Sequence, residues 1–276
     1  MEVMRAWQYS KVGRLEENLQ LKTDIPRPTA ETLQEDQVLV QVLCISLISA
    51  DLKHVELEVC VHVPEGVLPH EAAGIGGAGL TAYQSIIPFI QKGQKVFIND
   101  ESGGVGLLAI QIARPHGIDV TVSCSMRNKT LYEELGAHVI DYTRGDLVNF
   151  LQRNGVMFDL IVDNVGNDHR LFEAAHLYTT IEAKFIQVGG ELKTLSIVKL
   201  TQRVLLPSFL SGGKQNFQIL AADSNVDYLA ILRNPAAEKQ PRLSLMINEE
   251  LNLERVIHGI RKLRTGLARG KIIMAI

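Results

Sequence analysis

The stretch VFINDESGGVGLLAIQIARPHGIDVTV, residues 96–122, constrains the fold of this chain more than any other segment. It predicts a strand, a tight turn at Gly103, Gly104 and Gly106, a helix that ends at Pro115, and a second strand. Such a turn aims backbone N–H groups and the positive end of the helix at a phosphate, and glycines without a Cβ let a pyrophosphate approach. Because the flanking strands and the helix are all present, the stretch favours dinucleotide binding over a tight turn formed for packing alone.

The rest of the chain repeats this alternation of strand and helix. Six apolar runs predict strands: KVFIND, DVTVSC, HVIDY, FDLIVDNVG, AKFIQVGG and NFQILAA. Helical periodicity lies between them, near Val105–Arg114, Lys129–Leu135, Asp146–Asn154, His169–Tyr178 and Leu195–Leu205. Strands separated by helices require right-handed crossovers, so we predict an α/β fold with a doubly wound parallel sheet. Outside it, MRAWQYS, DQVLVQVLCISLIS and GKIIMAI have strand character, and NLERVIHGIRKLRTG is an amphipathic helix.

Charge and cysteine usage exclude several classes of partner. The net charge of −3 gives no basic footprint for nucleic acid or for an anionic membrane, so we expect a small-molecule partner. No apolar run approaches the ~20 residues needed to span a bilayer, and no signal-peptide core is visible. Cys44, Cys60 and Cys124 are odd in number and far apart, which fits neither a disulfide framework nor a metal clip. We therefore expect a soluble cytoplasmic protein with reduced thiols.

The residues that follow the second strand indicate which dinucleotide is bound. No Asp or Glu ends DVTVSC to hold the ribose 2′-hydroxyl of NAD; Ser125, Arg127 and Lys129 follow instead. Cations at a helix N-terminus oppose the macrodipole by ~0.3–1 kcal/mol each, so two of them indicate a compensating anion. The 2′-phosphate of NADP would supply that anion. The alternative is solvated surface charge.

Seven segments carry a resemblance to a known family: VHVPEG, GAGLTAYQSI, SGGVGLLAIQIA, FDLIVDNVGN, KFIQVGG, LLPSFLSGGK and LRTGLARGKI. In them the chain resembles the medium-chain dehydrogenase/reductases of the zinc-independent quinone oxidoreductase type. The resemblance covers nearly the whole chain and implies a Rossmann domain over residues 69–244. It also implies a GroES-like β domain, built here from residues 1–68 and 245–276. The implied activity is NADPH-dependent reduction of a quinone or an α,β-unsaturated carbonyl by a homodimer without zinc.

The same resemblance assigns cofactor-binding residues to three parts of the site. It places Thr81 near the nicotinamide. The pyrophosphate would meet Ser102, Gly103, Gly104, Val105 and Gly106, and the adenosine phosphate would meet Ser125, Arg127 and Lys129. The nicotinamide end would be lined by Asn164, Val165, Gly166, Val188, Gly189, Gly190, Phe209 and Leu210. No catalytic residue is assigned, since a reduced enolate or quinolate can take its proton from water.

Two departures from the family pattern favour an alternative function. The segments SLISADLKH and VHVPEG, which the family separates by many strands, are joined here by only VELEVC, so most of the GroES-like barrel is absent. Where the family has polar cleft residues, this chain has Ile48 and Leu52. These changes are typical of a redox-inactive member that catalyses a non-redox step, such as cyclisation or isomerisation, or that only binds a ligand.

A third departure is the acidic pair Asp100 and Glu101 in the glycine turn. A carboxylate about 5 Å from a phosphate would cost roughly 3 kcal/mol at an effective dielectric near 20. That energy corresponds to about hundredfold weaker binding. Because Asp100 ends a strand at the rim, we expect both acids to point into solvent, where NADPH binding survives.

Several other polar residues have two interpretations. His70 and Glu71 resemble the His-Glu pair of zinc-dependent relatives, but no cysteine is placed to complete a site, so we predict ordinary helix residues. Asp163 ends a strand and either contacts a ligand or caps the following turn. Tyr83 and Tyr142 either donate a proton to a reduced substrate or pack against the core.

Overall fold

The computed structural model describes residues 2–8, 14–33, 39–47, 67–100, 104–189, 216–220, 222, 243–266 and 268–276. The strands are β1 Val3–Gln8, β2 Gln20–Pro26, β3 Cys44–Leu47, β4 Lys95–Asn99, β5 Asp119–Cys124, β6 His138–Asp141, β7 Phe158–Asp163, β8 Thr179–Gln187, β9 Asn216–Ile219, β10 Ile247–Asn252 and β11 Lys271–Ala275. The helices are α1 Leu15–Asn18, α2 Pro69–Ile86, α3 Gly104–Ala113, α4 Lys129–Glu134, α5 Leu147–Arg153, α6 Arg170–Glu173 and α7 Val256–Arg264. These elements form two compact units. One draws on Met1–Glu56, Leu68–Gly74 and Ile247–Ile276, and the other chiefly on Ile75–Met246.

The larger unit is built on a six-stranded sheet in the order β6-β5-β4-β7-β8-β9. Every neighbouring pair of these strands is parallel. The chain starts in the middle of the sheet, builds outward to β6, and returns past β4 to build the other half, which is the order of a doubly wound fold. The predicted fold class and all six predicted strands of this sheet are confirmed.

Both faces of the sheet are covered, which explains why its strands are apolar throughout rather than alternating. In β4, Val96 and Ile98 belong to a core that includes α3, while Phe97 points to the other face. There Phe97 packs against Phe158, with ring centroids 5.6 Å apart. The strand therefore contributes to two separate cores, one on each side of the sheet.

The connections follow the sequence pattern with one exception. Helix α3 ends at Ala113, one residue before a 3-10 turn that contains Pro115, as predicted from the missing N–H of proline. The predicted helix His169–Tyr178 is wrong as a single element: it is divided into α6 and a 3-10 turn, Ala175–Leu177. The predicted helix Leu195–Leu205 lies outside the described residues.

The smaller unit contains two separate sheets. Strands β1 and β2 form an antiparallel pair, and a three-stranded sheet has the order β10-β11-β3. Its core includes Leu47, Leu251, Ile260 and Ile272, so the apolar face of α7 is buried as its amphipathic pattern predicts. Strands β2 and β10 were not among the predicted strands. Within the described part of the chain, no helix combines the length and the apolar character that crossing a bilayer requires.

Candidate functional site

The predicted cofactor residues that the structure describes lie mostly where parallel strands of the larger unit end. Gly104, Val105 and Gly106 open α3 after β4, and Ser125 follows β5. The described residues that the resemblance assigns to the nicotinamide end lie in the turns after β7 and β8. In an open parallel sheet, the carboxyl ends of the strands form the edge at which ligands bind. We call this edge the candidate site. Ser102, Gly103, Gly190, Phe209 and Leu210 lie outside the described residues, as do Ile48 and Leu52.

A buried chain of hydrogen bonds ties the three central strands together at the candidate site. The Ser123 hydroxyl donates to Asn99 Oδ1 at 2.7 Å, and Asn99 Nδ2 donates to Asp163 Oδ1 at 2.8 Å. All three residues are buried. The network fixes the ends of β5, β4 and β7 relative to one another, which sets a rigid frame for the turns that follow.

Asp163 caps the turn after β7. Its Oδ1 also accepts from the backbone N–H groups of Val165 and Gly166, at 3.1 and 2.9 Å. Burial raises the pKa of Asp163, and the hydrogen bonds from Gly166, Asn99 and Val165 oppose that increase. Of its two interpretations, the capping one is confirmed. A capped turn holds the backbone of residues 164–166 in one conformation at the nicotinamide end of the candidate site.

The turns after β7 and β8 come into close backbone contact. The Val188 and Gly189 N–H groups donate to the Asp163 carbonyl at 2.9 and 3.1 Å. An added Cβ at Gly189 would lie 1.8 Å from the carbonyl oxygen of Asn164, so only glycine permits this approach. The structure therefore brings together five of the predicted nicotinamide-end residues, Asn164, Val165, Gly166, Val188 and Gly189.

Asp100 does not point into solvent, so the expectation of an outward side chain is wrong. The residue is 3% exposed, and the Tyr132 hydroxyl donates to its Oδ2 at 2.7 Å. The Asn164 amide donates to Oδ1 at 3.4 Å, the outer limit of a hydrogen bond. In this buried position, hydrogen bonds from Tyr132 and Asn164 replace the hydration that the carboxylate would have at the rim. Glu101, the other acid, lies outside the described residues.

The Asp100 carboxylate fills the space beside Gly106. A Cβ built on Gly106 would meet Asp100 Cγ and Oδ2, each at 2.5 Å. The missing Cβ of Gly106 thus leaves room for the Asp100 side chain, whereas the family resemblance assigns Gly106 to the binding of a pyrophosphate.

Two buried side chains near Asp100, Tyr132 and Cys124, have raised pKa values. Burial raises the pKa of the Tyr132 hydroxyl above its usual value, and the Asp100 carboxylate raises it further. Burial also raises the pKa of the Cys124 thiol to about 12, with Asp141 and Asp100 adding to the effect. Tyr132 therefore remains a hydrogen-bond donor at neutral pH, and Cys124 remains a thiol.

The three residues assigned to the adenosine phosphate lie together after β5. Ser125 is buried, and Arg127 is exposed in a 3-10 turn, Met126–Asn128, which leads into α4. Lys129 Nζ lies 3.7 Å from Glu133 Oε1, and both side chains are half-exposed. An exposed pair of this kind contributes only about 0–1 kcal/mol, so Lys129 can exchange it for a bound anion.

The remaining candidates are accounted for within their own elements. The Thr81 hydroxyl donates to the Gly77 carbonyl one turn earlier in α2 at 2.7 Å. Glu71 accepts from the Leu68 N–H at 3.0 Å, so the predicted helical role of the His70 and Glu71 pair is confirmed. Tyr83 packs against the core on the α3 side of the sheet. The described residues contain no group of three or more His, Cys, Asp and Glu side chains arranged to hold a metal ion.

Sequence reasoning missed Asn99 and Tyr132. The signal for Asn99 was present, because a polar residue that ends an otherwise apolar parallel strand lies at the ligand-binding edge. Tyr132 gave no comparable signal, since a tyrosine inside a short helix is ordinarily a packing residue.

Two features of the candidate site fit a dinucleotide. The first N–H groups of α3 have no partner within the helix, by the geometry of any helix start, and can bind a phosphate. The Asn164 Oδ1 is buried without a hydrogen-bond partner, at the end where a carboxamide would be placed. An uncompensated buried acceptor is unfavourable until it meets a donor.

Comparison with known proteins connects this geometry to a family. The model of the family described as zinc-binding dehydrogenase matches residues 104–222. A trans-enoyl reductase of Aspergillus terreus is 31% identical over 346 aligned positions, which cover 99% of this chain and 96% of that protein. Because the alignment is longer than this chain of 276 residues, the relative has residues with no counterpart here.

Solved structures show the same fold. A quinone oxidoreductase from Coxiella burnetii superposes with a TM-score of 0.79 at 21% identity, and covers 100% of both chains. A mycobacterial protein solved in complex with NADPH has a TM-score of 0.76 at 17% identity, over 99% of this chain and 100% of that one.

Proposed function

Because this chain belongs to the medium-chain dehydrogenase/reductase family, we propose that it is an oxidoreductase that uses NADPH to reduce a quinone or an α,β-unsaturated carbonyl. The observation that carries the proposal is the 31% identity to a trans-enoyl reductase over 99% of the chain. The candidate site supports it, because residues from four strand ends converge where a nicotinamide cofactor binds in a parallel sheet.

In this proposal the chain acts mainly by binding and orientation. The first N–H groups of α3 hold the diphosphate, and the capped turn after β7 holds the nicotinamide end through Asn164 and Gly166. Bound NADPH would supply the hydride. The rigid network of Asn99, Ser123 and Asp163 keeps the strand ends fixed while substrate and cofactor are aligned.

Arg127 and Lys129 give the preference for NADPH over NADH. Each charge-assisted contact to a 2′-phosphate contributes ~1.5–3 kcal/mol. The loss of Arg127 should therefore weaken NADPH binding by at least about tenfold and leave NADH binding little changed.

Calorimetric titration tests this directly. NADPH and NADH are titrated into the parent chain, into Arg127→Ala and into the matched control Arg153→Ala. Arg153 is an exposed arginine in the last turn of α5, and a helix that follows a parallel strand ends at the opposite edge of the sheet. Equal affinities of the parent for the two cofactors, or the same effect from both variants, would contradict the assignment.

The substrate class is tested by the loss of NADPH absorbance in the presence of 1,4-benzoquinone or a trans-2-enoyl thioester. The expected result is turnover of either compound, with a KM for NADPH that Arg127→Ala raises by at least about tenfold and Arg153→Ala leaves unchanged. Tight NADPH binding without turnover of any electron-poor double bond would favour the redox-inactive alternative, in which the cleft serves a non-redox step or binding.

Two further properties belong to the proposal. The enzyme needs no zinc, because Glu71 is engaged at the start of α2 in capping the Leu68 N–H; a stoichiometric zinc content of the purified protein would contradict this. The chain forms a homodimer through an edge strand of the six-stranded sheet, as is common in the family. A monomeric mass in sedimentation at micromolar concentration would count against the dimer.

A further inference from the structure

Buried polar side chains form a row across the six-stranded sheet at the edge where the candidate site lies. They are in register on β5, β4, β7 and β8, and they are Ser123, Asn99, Asp163 and Gln187. Residues in register share a face of the sheet, and Phe97, two residues before Asn99, identifies this face as that of the aromatic core. The row therefore closes the aromatic core at the candidate site.

Gln187 differs from the other members of the row in the direction of its hydrogen bond. The Ser123 and Asn99 side chains donate along the row, whereas Gln187 Nε2 donates to the Gly189 carbonyl at 3.1 Å. The same nitrogen would lie 2.8 Å from a Cβ built on Gly166. The buried amide of Gln187 therefore lies beside both turns that carry the residues assigned to the nicotinamide end.

The hydrogen bond of Gln187 acts at the point where these two turns meet. A Cβ built on Gly166 would lie 2.2 Å from the Gly189 carbonyl oxygen, which is the atom that accepts from Gln187. The N–H groups of Val188 and Gly189 are bound by the Asp163 carbonyl. The turn after β8 is thus held through its N–H groups by the main chain of β7 and through a carbonyl by the Gln187 side chain.

We propose that Gln187 is a positioning residue for the nicotinamide, whose amide fixes the turn after β8 against Gly166. The inference rests on the proposed function, because it requires a dinucleotide at the candidate site. Gln187 is outside the set of residues that the family resemblance assigns to the cofactor. The residues assigned to the adenosine phosphate follow β5, two strands away from β7 in the sheet order, so their binding should not depend on Gln187.

Two ligands separate the nicotinamide from the rest of the cofactor. NADPH and 2′-phospho-ADP-ribose, which lacks only the nicotinamide, are titrated into the parent chain and into Gln187→Met. The Kd of 2′-phospho-ADP-ribose divided by the Kd of NADPH measures what the nicotinamide contributes to binding. Methionine has a similar length and volume but cannot donate a hydrogen bond.

Gln187→Met should lower this ratio by about threefold to tenfold, the change in affinity that corresponds to one net hydrogen bond. The Kd of 2′-phospho-ADP-ribose should stay within about twofold of the parent value. A general loss of structure at the candidate site would instead weaken both ligands and leave the ratio unchanged.

Thr179→Val is the matched control. Thr179 lies at the other end of β8, is also buried, and its hydroxyl donates to the Ala175 carbonyl at 2.8 Å. Each variant therefore removes one buried hydrogen bond to a main-chain carbonyl from the same strand, and urea denaturation measures the stability that each loses. Thr179→Val should leave the ratio unchanged, and an equal fall of the ratio in both variants would overturn the inference.

Gln187→Leu repeats the test in case Gln187→Met does not fold. Leucine and methionine have similar volumes, and leucine also lacks a donor for the Gly189 carbonyl. The ratio should fall as it does in Gln187→Met. A ratio equal to that of the parent would overturn the inference.

The outcomes separate the inference from the proposed function. A parent chain that binds no NADPH overturns both. A parent chain that binds the two ligands equally, or a Gln187→Met variant that weakens both by the same factor, overturns only the role of Gln187.

Discussion

The effect of Gly106→Ala on the free energy of unfolding should have opposite signs with Asp and with Gly at position 100. Gly106 lies in the first turn of α3, and the three nearest atoms to an added Cβ are Cγ, Oδ2 and Cβ of Asp100, at 2.5, 2.5 and 2.9 Å. All three distances are shorter than real Cβ contacts. The added methyl group must therefore displace the Asp100 side chain, which also separates the carboxylate from Tyr132.

The expected magnitude follows from opposing contributions. Inserting a methyl group into packed structure costs about 1–3 kcal/mol, and losing a hydrogen bond to a charged group costs about 1.5–3 kcal/mol. Alanine is about 1 kcal/mol more favourable than glycine within a helix. We expect Gly106→Ala to lower the free energy of unfolding by about 1.5–5 kcal/mol in the parent chain. In an Asp100→Gly background the three close atoms are gone, and the same change should raise it by up to about 1 kcal/mol.

Urea denaturation followed by circular dichroism measures the four members of this cycle. Gly259→Ala serves as the control, because its added Cβ would lie 2.6 Å from Leu47 Cδ1 in the other unit. Its cost should be the same with Asp or Gly at position 100.

The reasoning would be refuted by equal costs of Gly106→Ala in the two backgrounds. That result would mean that Asp100 is not the side chain beside Gly106.

Three other predictions follow from the larger unit. The Cys124 thiol, with its pKa raised by burial to about 12, should react with iodoacetamide at pH 8 about a thousandfold more slowly than a free cysteine, as resolved by peptide mass spectrometry. Asp163→Asn keeps the Oδ1 that accepts all three hydrogen bonds, so we expect it to be at least as stable as the parent at pH 8. Burial raises the pKa of Asp163 in the folded chain, so the parent gains stability relative to the variant as the pH falls through that raised value toward the ordinary pKa near 3.9. Urea denaturation at a series of pH values should show this gain. A difference in stability that does not change with pH would contradict it. Gly189→Ala, whose Cβ would lie 1.8 Å from the Asn164 carbonyl oxygen, should lose at least about 3 kcal/mol, whereas Gly155→Ala, with φ of 71° and nothing within 4 Å, should lose about 1–2 kcal/mol in the same assay.

The sheet of the larger unit could be predicted because its signals are local. Each strand is a short apolar run bounded by polar turns, and each described crossover shows helical periodicity or a helix stop such as Pro115. The prediction of a single helix over His169–Tyr178 was wrong. Its residues divide between α6 and a 3-10 turn, whose buried Ala175 packs with the aromatic core of that face. Tertiary packing outweighed a helical period that was correct in itself.

The candidate site could be predicted in position but not in its internal contacts. The ends of parallel strands locate it, and the family resemblance names its residues, of which Gly166 and Gly189 are indeed in contact. The direction of the Asp100 side chain could not be read from the local sequence, because its partners include Tyr132 on α4 and Asn164 after β7. A charged side chain at the end of a strand can turn inward where the interior supplies a hydrogen-bond donor, as Tyr132 does for Asp100.

The two buried carboxylates of the candidate site differ in what compensates them, and this difference determines which can be changed. Asp163 Oδ1 accepts two of its three hydrogen bonds from backbone N–H groups of the turn that it caps, and these two do not depend on which side chains surround it. The short hydrogen bond to Asp100 Oδ2 comes instead from the Tyr132 side chain, so the single substitution Tyr132→Phe removes that bond.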